Sequence, residues 1–232
     1  MPYGNIVGIN QNAAVLHHKI LNPLKVEGRS LLVDAGADYQ GYAADITRTS
    51  VTPLAGELFT SLRDGVDTIT RDLIAQMKVG DSYVDTHLLA HRKVAELLVE
   101  LGVVKTSVEQ AIEKKVTSTF FPHGIGHLLG LQVHDRGGKQ INVAGDLKPS
   151  PADHPFLRCT RTIENNMVFT IEPGIYFIPS LLEKLRADNA AAVDWHLVDK
   201  LLPCGGVRIE DNVVVTSGGV ENITRDAFAA EN

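Results

Sequence analysis

Between residues 56 and 101 the apolar positions fall at helical spacing. Leu58, Phe59, Leu62, Val66, Ile69, Leu73 and Met77 recur every three or four residues and Gly80 follows as a stop, which predicts one amphipathic helix. A second helix is predicted from about Asp85 to Leu101, ended by Gly102, and a third, shorter one opens at the capping box Thr106 to Glu109. On both sides of this block the pattern changes to that of strands. Asn5 to Asn10 (NIVGIN) and Ala13 to His18 (AAVLHH) flank Asn10, Gln11 and Asn12 and read as a hairpin. Arg29 to Ser50 reads as a longer hairpin with its turn at Asp38 to Gly41. After the helices, Phe120 to Asp135, Val168 to Phe177 and Gly206 to Thr216 are again strand-like, while Pro179 to Leu202 is a helical excursion that the capping box Ser180 to Glu183 opens. Strands, then helices, then strands predict an α+β domain with an antiparallel or mixed sheet covered by helices on one side.

Composition narrows this picture. A chain of 232 residues with 44% hydrophobic content is sized for a single domain with one core. The net charge of -6, with basic residues interspersed among acids, argues against a nucleic-acid partner. No apolar stretch approaches membrane-spanning length, and Met1 to Gly8 lacks the basic and apolar regions of a secretory signal, so a soluble, cytoplasmic protein is expected. Cys159 and Cys204, two thiols in a long chain, suit a reducing compartment and read as small, partly buried residues.

The candidate chemistry lies in the strand-like stretches. Asp34, Asp45, His127, Glu172 and Glu210 each sit in a strand or at a strand end, and four carboxylates with one imidazole suit a pair of divalent cations. A turn centred between Tyr39 and Gln40 would set Asp34 directly opposite Asp45. Their Cβ atoms would then lie about 4.5–5.5 Å apart and the like charges would repel unless a cation sat between them. His123, His127 and His134 fall within twelve residues, separated by Gly124 and Gly126, which permit close backbone approach. Glu172 precedes Pro173 and Gly174, so its backbone is extended and then turns sharply. Arg208 and Glu210 are two apart on a strand and share a face among Val207, Ile209 and Val213 to Val215; charges in such surroundings need partners or metals. His87 and His91 have a metal-like i,i+4 spacing but no acidic companion, and are assigned to a solvated or core role.

The motifs DAGADYQGYAADITRT, PHGIGHLLGLQVHD, TIEPGIYF and GGVRIEDN resemble the catalytic domain of the creatinase/aminopeptidase "pita-bread" family from Tyr3 to about Arg225. Within that family, Pro179 to Leu202 and LRCTR at Leu157 to Arg161 are most similar to the bacterial Xaa-Pro dipeptidases, or prolidases. The resemblance implies that Asp34, Asp45, His127, Glu172 and Glu210 hold two divalent ions per subunit, with Asp45 and Glu210 bridging. Mn²⁺ is expected first from the oxygen-rich donors, with Co²⁺ or Zn²⁺ as alternatives. It further implies that an Xaa-Pro dipeptide is cleaved by hydroxide attack on the scissile carbonyl, that His17, His123, His134, Arg208 and Tyr3 meet the substrate, and that organophosphates are hydrolysed as a side activity. Glu172 would move the proton, and His123 and His134 would donate to the oxyanion. Arg208 would pair either with the dipeptide carboxylate or with a ligand carboxylate. His18 and Arg136 depart from the residues usual beside these motifs. Compared with the family, the chain is expected to be truncated at its N-terminus, lacking the first helices of the domain, and to form a homodimer or require the missing segment. Alternatives are an inactive or partner-dependent metal-binding fragment, an aminopeptidase P-like peptidase, and a non-catalytic binding protein, the last disfavoured by the complete ligand set.

Overall fold

The computed structural model describes residues 1–20 and 25–231. The first strands are β1 (Ile6–Ile9), β2 (Ser30–Ala35), β3 (Asp38–Tyr39), β4 (Tyr42–Ala43) and β5 (Ile46–Val51). Helices α1 (Gly56–Gln76), α2 (Tyr83–Glu100), α3 (Val108–Glu113) and α4 (Val116–Phe120) follow. The chain then forms β6 (Val168–Ile171), β7 (Gly174–Tyr176), α5 (Pro179–Asn189), α6 (Trp195–Leu201), β8 (Gly206–Arg208), β9 (Asp211–Thr216), β10 (Gly219–Glu221) and α7 (Ile223–Ala230). Every named strand pair is antiparallel: β1-β2-β5, β10-β9-β6, β3-β4 and β7-β8. An isolated antiparallel bridge between Thr47 and Glu210 joins the early strands to the late ones. Among the described residues, no helix is long and apolar enough to cross a membrane.

The helical periodicity is realised nearly as expected. Phe59, Leu62, Val66, Ile69 and Leu73 of α1 are buried, and with Ala90, Val94 and Leu98 of α2 they pack on Phe169, Ile171, Val213 and Val215 of β6 and β9 in one core. Each of these side chains larger than alanine contributes roughly 1.5–3 kcal/mol on burial, so the two helices are held mainly by their apolar faces. Ser82 caps α2 by accepting from Asp85 N, and α3 is capped by Ser107, which accepts from Gln110 N at 3.2 Å. The cap of α3 is thus one residue later than the Thr106 expected, because Ser107 is the residue with extended backbone just before the helix. Helix α5 begins at Pro179, where the helical excursion was expected to start, but Ser180 does not cap it: Ile178 is the N-cap and makes no side-chain capping bond, while the fixed φ of proline suits a first helical position.

The strand regions depart further. No hairpin forms over residues 5–18: Asn10 has φ 57°, a 3₁₀ turn runs from Asn10 to Ala14, and Ala13 and Ala14 are buried. The Asn10 side chain donates to Glu27 O and accepts from Arg29 N, fastening this turn to the entry of β2, and β1 pairs with β2. In the next hairpin, Gln40 (φ 53°) and Gly41 (φ 85°) are the central residues, a mirror-image turn that needs two positive φ values. That moves the turn one residue along the chain, and Asp34 faces Thr47 rather than Asp45. Residues 121–135 are not a regular strand. Ile125 to Leu129 nevertheless run beside β6, through Glu172 N to Ile125 O at 2.8 Å, Thr170 N to His127 O at 3.0 Å and Leu129 N to Val168 O at 3.1 Å. Glycine is needed at 126, since a Cβ there would fall 2.1 Å from Thr170 O. Likewise β8 stops at Arg208, and Glu210 follows in the bridge to Thr47 instead of continuing one strand.

Candidate metal centre

The seam between the two groups of strands collects the five expected ligands. Asp34 comes from β2, Asp45 from the link between β4 and β5, His127 from the glycine-rich stretch beside β6, Glu172 from the break between β6 and β7, and Glu210 from the bridge to β5. All five line one cavity of about 1000 Å³, together with His17, His123, His134 and Arg158. Asp45, His127 and Glu210 are buried and offer donor atoms within 4.8 Å of one another. His127 Nε2 lies 3.5 Å from Asp45 Oδ2, 3.7 Å from Glu172 Oε1 and 4.0 Å from Glu210 Oε1. Its Nδ1 is 3.0 Å from Leu128 O, a contact that assigns the proton to Nδ1 and leaves Nε2 directed at the carboxylates.

Asp34 stands outside that trio and is tied to it by Tyr3, whose hydroxyl donates to Asp34 Oδ1 at 2.6 Å and to Asp45 Oδ1. Burial, reinforced by the two carboxylates, drives the Tyr3 phenol far above its ordinary pKa and keeps it a donor. The two aspartates are therefore brought together by a shared hydroxyl and the path of the chain after β4, not by cross-strand pairing.

Crowding four carboxylates in a buried site leaves its mark on each. Burial pushes Glu172 up to about 7 and Glu210 well above the carboxylate range, and Asp34 is raised by burial despite Arg208 beside it. For Asp45 burial is outweighed by hydrogen bonds to His127 and Tyr3, which hold it low. His127 is raised because Asp45 and Glu172 overcome its own burial. One buried guanidinium cannot keep four crowded carboxyls ionised, which is why three of them are pushed toward their neutral forms, and oxygen donors with one imidazole form a donor set that fits divalent cations.

Arg208 is buried and almost wholly engaged. Its Nη2 donates to Asp34 Oδ2 at 2.5 Å, Nε to Thr47 Oγ1 at 3.1 Å and Nη1 to Tyr176 OH at 3.0 Å. Of the two groups open to it from sequence, the guanidinium holds a carboxylate of the candidate site, Asp34. Tyr176 OH in turn meets His123 Nε2 at 2.9 Å while His123 Nδ1 meets Gly124 O at 2.7 Å. Burial, with Arg208 nearby, takes the His123 pKa down to about 3, so the ring is neutral with both nitrogens occupied. His134 stands edge-on to His127 with ring centroids 4.4 Å apart, and burial brings its pKa to about 4. His17 lines the cavity from an exposed position.

Four further residues belong to this arrangement and were not singled out from sequence. Thr47 donates to Glu210 Oε2 at 2.7 Å as well as accepting from Arg208. Asn212 accepts from Asp45 N at 3.0 Å and donates to Asp45 O. Tyr176 links Arg208 to His123, and Arg158 supplies a cation at the cavity wall. The available signal was polar residues at the buried alternate positions of β5, Thr47 and Thr49, where an ordinary strand would carry apolar ones.

Comparison with known proteins identifies relatives of the whole chain. The model of metallopeptidase family M24 matches residues 1–217. Xaa-Pro dipeptidase of Shewanella frigidimarina is 49% identical over 227 residues, covering 97% of this chain and 51% of its own length. The Xaa-Pro dipeptidase of Pseudoalteromonas translucida is 48% identical, with 97% and 52% covered. The chain spans about half the length of the curated relatives it matches. Among solved structures, aminopeptidase PepP of Pseudomonas aeruginosa superposes with a TM-score of 0.75 at 29% identity, covering 97% of this chain and 44% of that one. Zinc-substituted Escherichia coli aminopeptidase P in complex with product gives 0.72 at 30% identity, with the same coverage.

Proposed function

Because the chain belongs to metallopeptidase family M24 and has its pita-bread fold, we propose that it is the hydrolytic part of a dinuclear-metal Xaa-Pro dipeptidase. The observation that carries this reading is the convergence of Asp34, Asp45, His127, Glu172 and Glu210 on one cavity wall from five separate segments. Asp45, His127 and Glu210 would hold one ion and Asp34 a second. Asp45 and Glu210 would be shared by the two ions, with Glu172 completing the donor set. The oxygen-rich set favours Mn²⁺ over Co²⁺ or Zn²⁺. When bound, such ions polarise a carbonyl and acidify water.

The chain's own residues account for the rest. Glu172 faces the cavity with a carboxylate poised near neutrality by burial and neighbouring charge, suited to take a proton from attacking water and deliver it to the leaving nitrogen. His134 is placed to donate to the oxygen on which charge develops. His123, occupied by Tyr176 and Gly124, serves that purpose only if Tyr176 releases it; as found, it orients Tyr176. With Arg208 committed to Asp34, the dipeptide carboxylate is assigned to Arg158, and His17 lines the same cavity. Tyr3 fixes the aspartates rather than the substrate. Two free buried cysteines suit a reducing, cytoplasmic setting. A metal centre that attacks carbonyls would also accept organophosphate triesters as a side activity.

The test joins metal analysis to turnover. The wild type should retain two Mn²⁺ per chain and hydrolyse Gly-Pro, and Glu210→Gln should lose both metal stoichiometry and activity at any Mn²⁺ concentration. Full turnover by Glu210→Gln would end the dinuclear reading. The resemblance to solved aminopeptidases P supports a second reading, and tripeptides cleaved faster than Gly-Pro would favour it.

A further inference from the structure

Phe121 packs edge-on against His123 and also touches His87 and His91, where three histidines meet. His87 and His91 stand one turn apart on α2, and His154 approaches from the irregular segment after Ser150. Each pair of rings has its centroids 4.6 Å apart, and one nitrogen from each ring lies within 4.8 Å of the others. His87 and His91 are buried, and His154 is half-buried on the solvent side.

Two details separate this group from rings that merely fill space. Neither nitrogen of His87, at 1% exposure, has a hydrogen-bond partner among the described residues, so its desolvation is left unrecovered. His91 Nδ1 meets Thr117 Oγ1 at 3.0 Å, which orients the ring and leaves Nε2 free, as an imidazole oriented for metal binding requires. Burial, with the neighbouring imidazoles, takes His87 down to about 2 and His91 to about 3, so both lone pairs are available at neutral pH.

We propose that His87, His91 and His154 form a second metal site, separate from the carboxylate centre, that takes Zn²⁺ with three imidazole ligands and a solvent molecule in the fourth position. Nitrogen donors without carboxylates select Zn²⁺ over Mn²⁺, the reverse of the oxygen-rich centre. A cavity of about 160 Å³ beside the three rings has room for the fourth ligand. The site bears on the main cavity through its loop: Pro155, Phe156 and Leu157, directly after His154, line both cavities. Zinc here ties that wall of the main cavity to α2.

The full chain carrying Asp45→Asn and Glu210→Gln, which disables the carboxylate centre, is stripped with chelator, exposed to Zn²⁺ and analysed for bound metal by mass spectrometry. One zinc per chain should remain, and Co²⁺ in its place should give the visible absorption of a four-coordinate nitrogen site. Adding His87→Ala or His154→Gln should weaken retention by about 10–100-fold or more, and zinc should protect the segment around His154 from proteolysis only when that histidine is present. His154 lies in an irregular, partly exposed segment, so its variant is expected to fold even if that at His87 does not. No retained zinc in the folded, centre-disabled chain, or retention unchanged by His154→Gln, would overturn the assignment. Neither result depends on peptidase activity.

Discussion

Replacing Arg208 by methionine separates two roles that a sequence motif alone leaves merged. The guanidinium is 4% exposed and donates to Asp34, Thr47 and Tyr176, so its loss strands a buried carboxylate and leaves two hydroxyls short of a partner. Removing one member of a buried ion pair costs about 3–5 kcal/mol, a large part of the roughly 5–15 kcal/mol that holds a domain together. Urea unfolding in chelator should show a loss of that size for Arg208→Met. The double variant Arg208→Met, Asp34→Asn should recover part of it, because no unpaired charge then remains buried. With Mn²⁺ present, Arg208→Met should need about 10–100-fold more metal for half-maximal Gly-Pro hydrolysis, since Asp34 is no longer oriented. The reasoning fails if Arg208→Met unfolds within about 1 kcal/mol of wild type, the scale of an ordinary surface change, and its only kinetic defect is a raised KM for Gly-Pro. That pattern would mean the guanidinium serves the substrate carboxylate.

The remaining expectations are narrower. Arg158→Ala should raise KM for Gly-Pro about tenfold or more, the scale of one charge-assisted hydrogen bond, and leave Gly-prolinamide nearly unaffected; equal effects on both substrates would remove Arg158 from the carboxylate's recognition. Thr47→Val should cost about 1–3 kcal/mol, because Glu210 and Arg208 each lose a buried partner, and denaturant unfolding within 0.5 kcal/mol of wild type, roughly the range of neutral changes, would contradict the network. In chelator, Glu172 has a folded pKa raised to about 7 from an ordinary 4.5. The folded state therefore holds the proton more tightly, and the group's contribution falls as pH rises between those values. Wild-type stability measured against Glu172→Gln should drop by roughly 3 kcal/mol across that window; a difference that is flat or rises with pH would show that burial does not govern this carboxylate.

Much was legible without coordinates where the deciding physics is local. The apolar spacing of Phe59, Leu62, Val66, Ile69 and Leu73 is set by the helical repeat, and α1 and α2 form within two residues of their expected ends. The five candidate ligands could be singled out because short motifs keep chemistry next to its backbone: Glu172 before Pro173-Gly174, and His127 among glycines. The strand readings failed where the outcome depends on a distant partner. Ala13 and Ala14 leave the expected hairpin because Asn10 is fastened to Glu27 and Arg29, and one misplaced turn residue at Gln40-Gly41 changed the partner of Asp34.

The sequence by itself determined helices α1 and α2, the α+β class, the type of donor at each candidate ligand position and the excess of acidic over basic groups there, since these follow from side-chain chemistry and spacing along a few turns of chain, whereas the short α4 and the terminal α7 were not legible in it. Only the tertiary structure decided what each group does. Arg208 meets Asp34 across 174 residues, Thr47 meets Glu210 across 163, and His154 meets His87 and His91. The physical reason is that such contacts are selected by the packing of whole elements: a polar group buried by that packing must find whichever partner the fold brings within about 3 Å, and no local pattern records which one that will be.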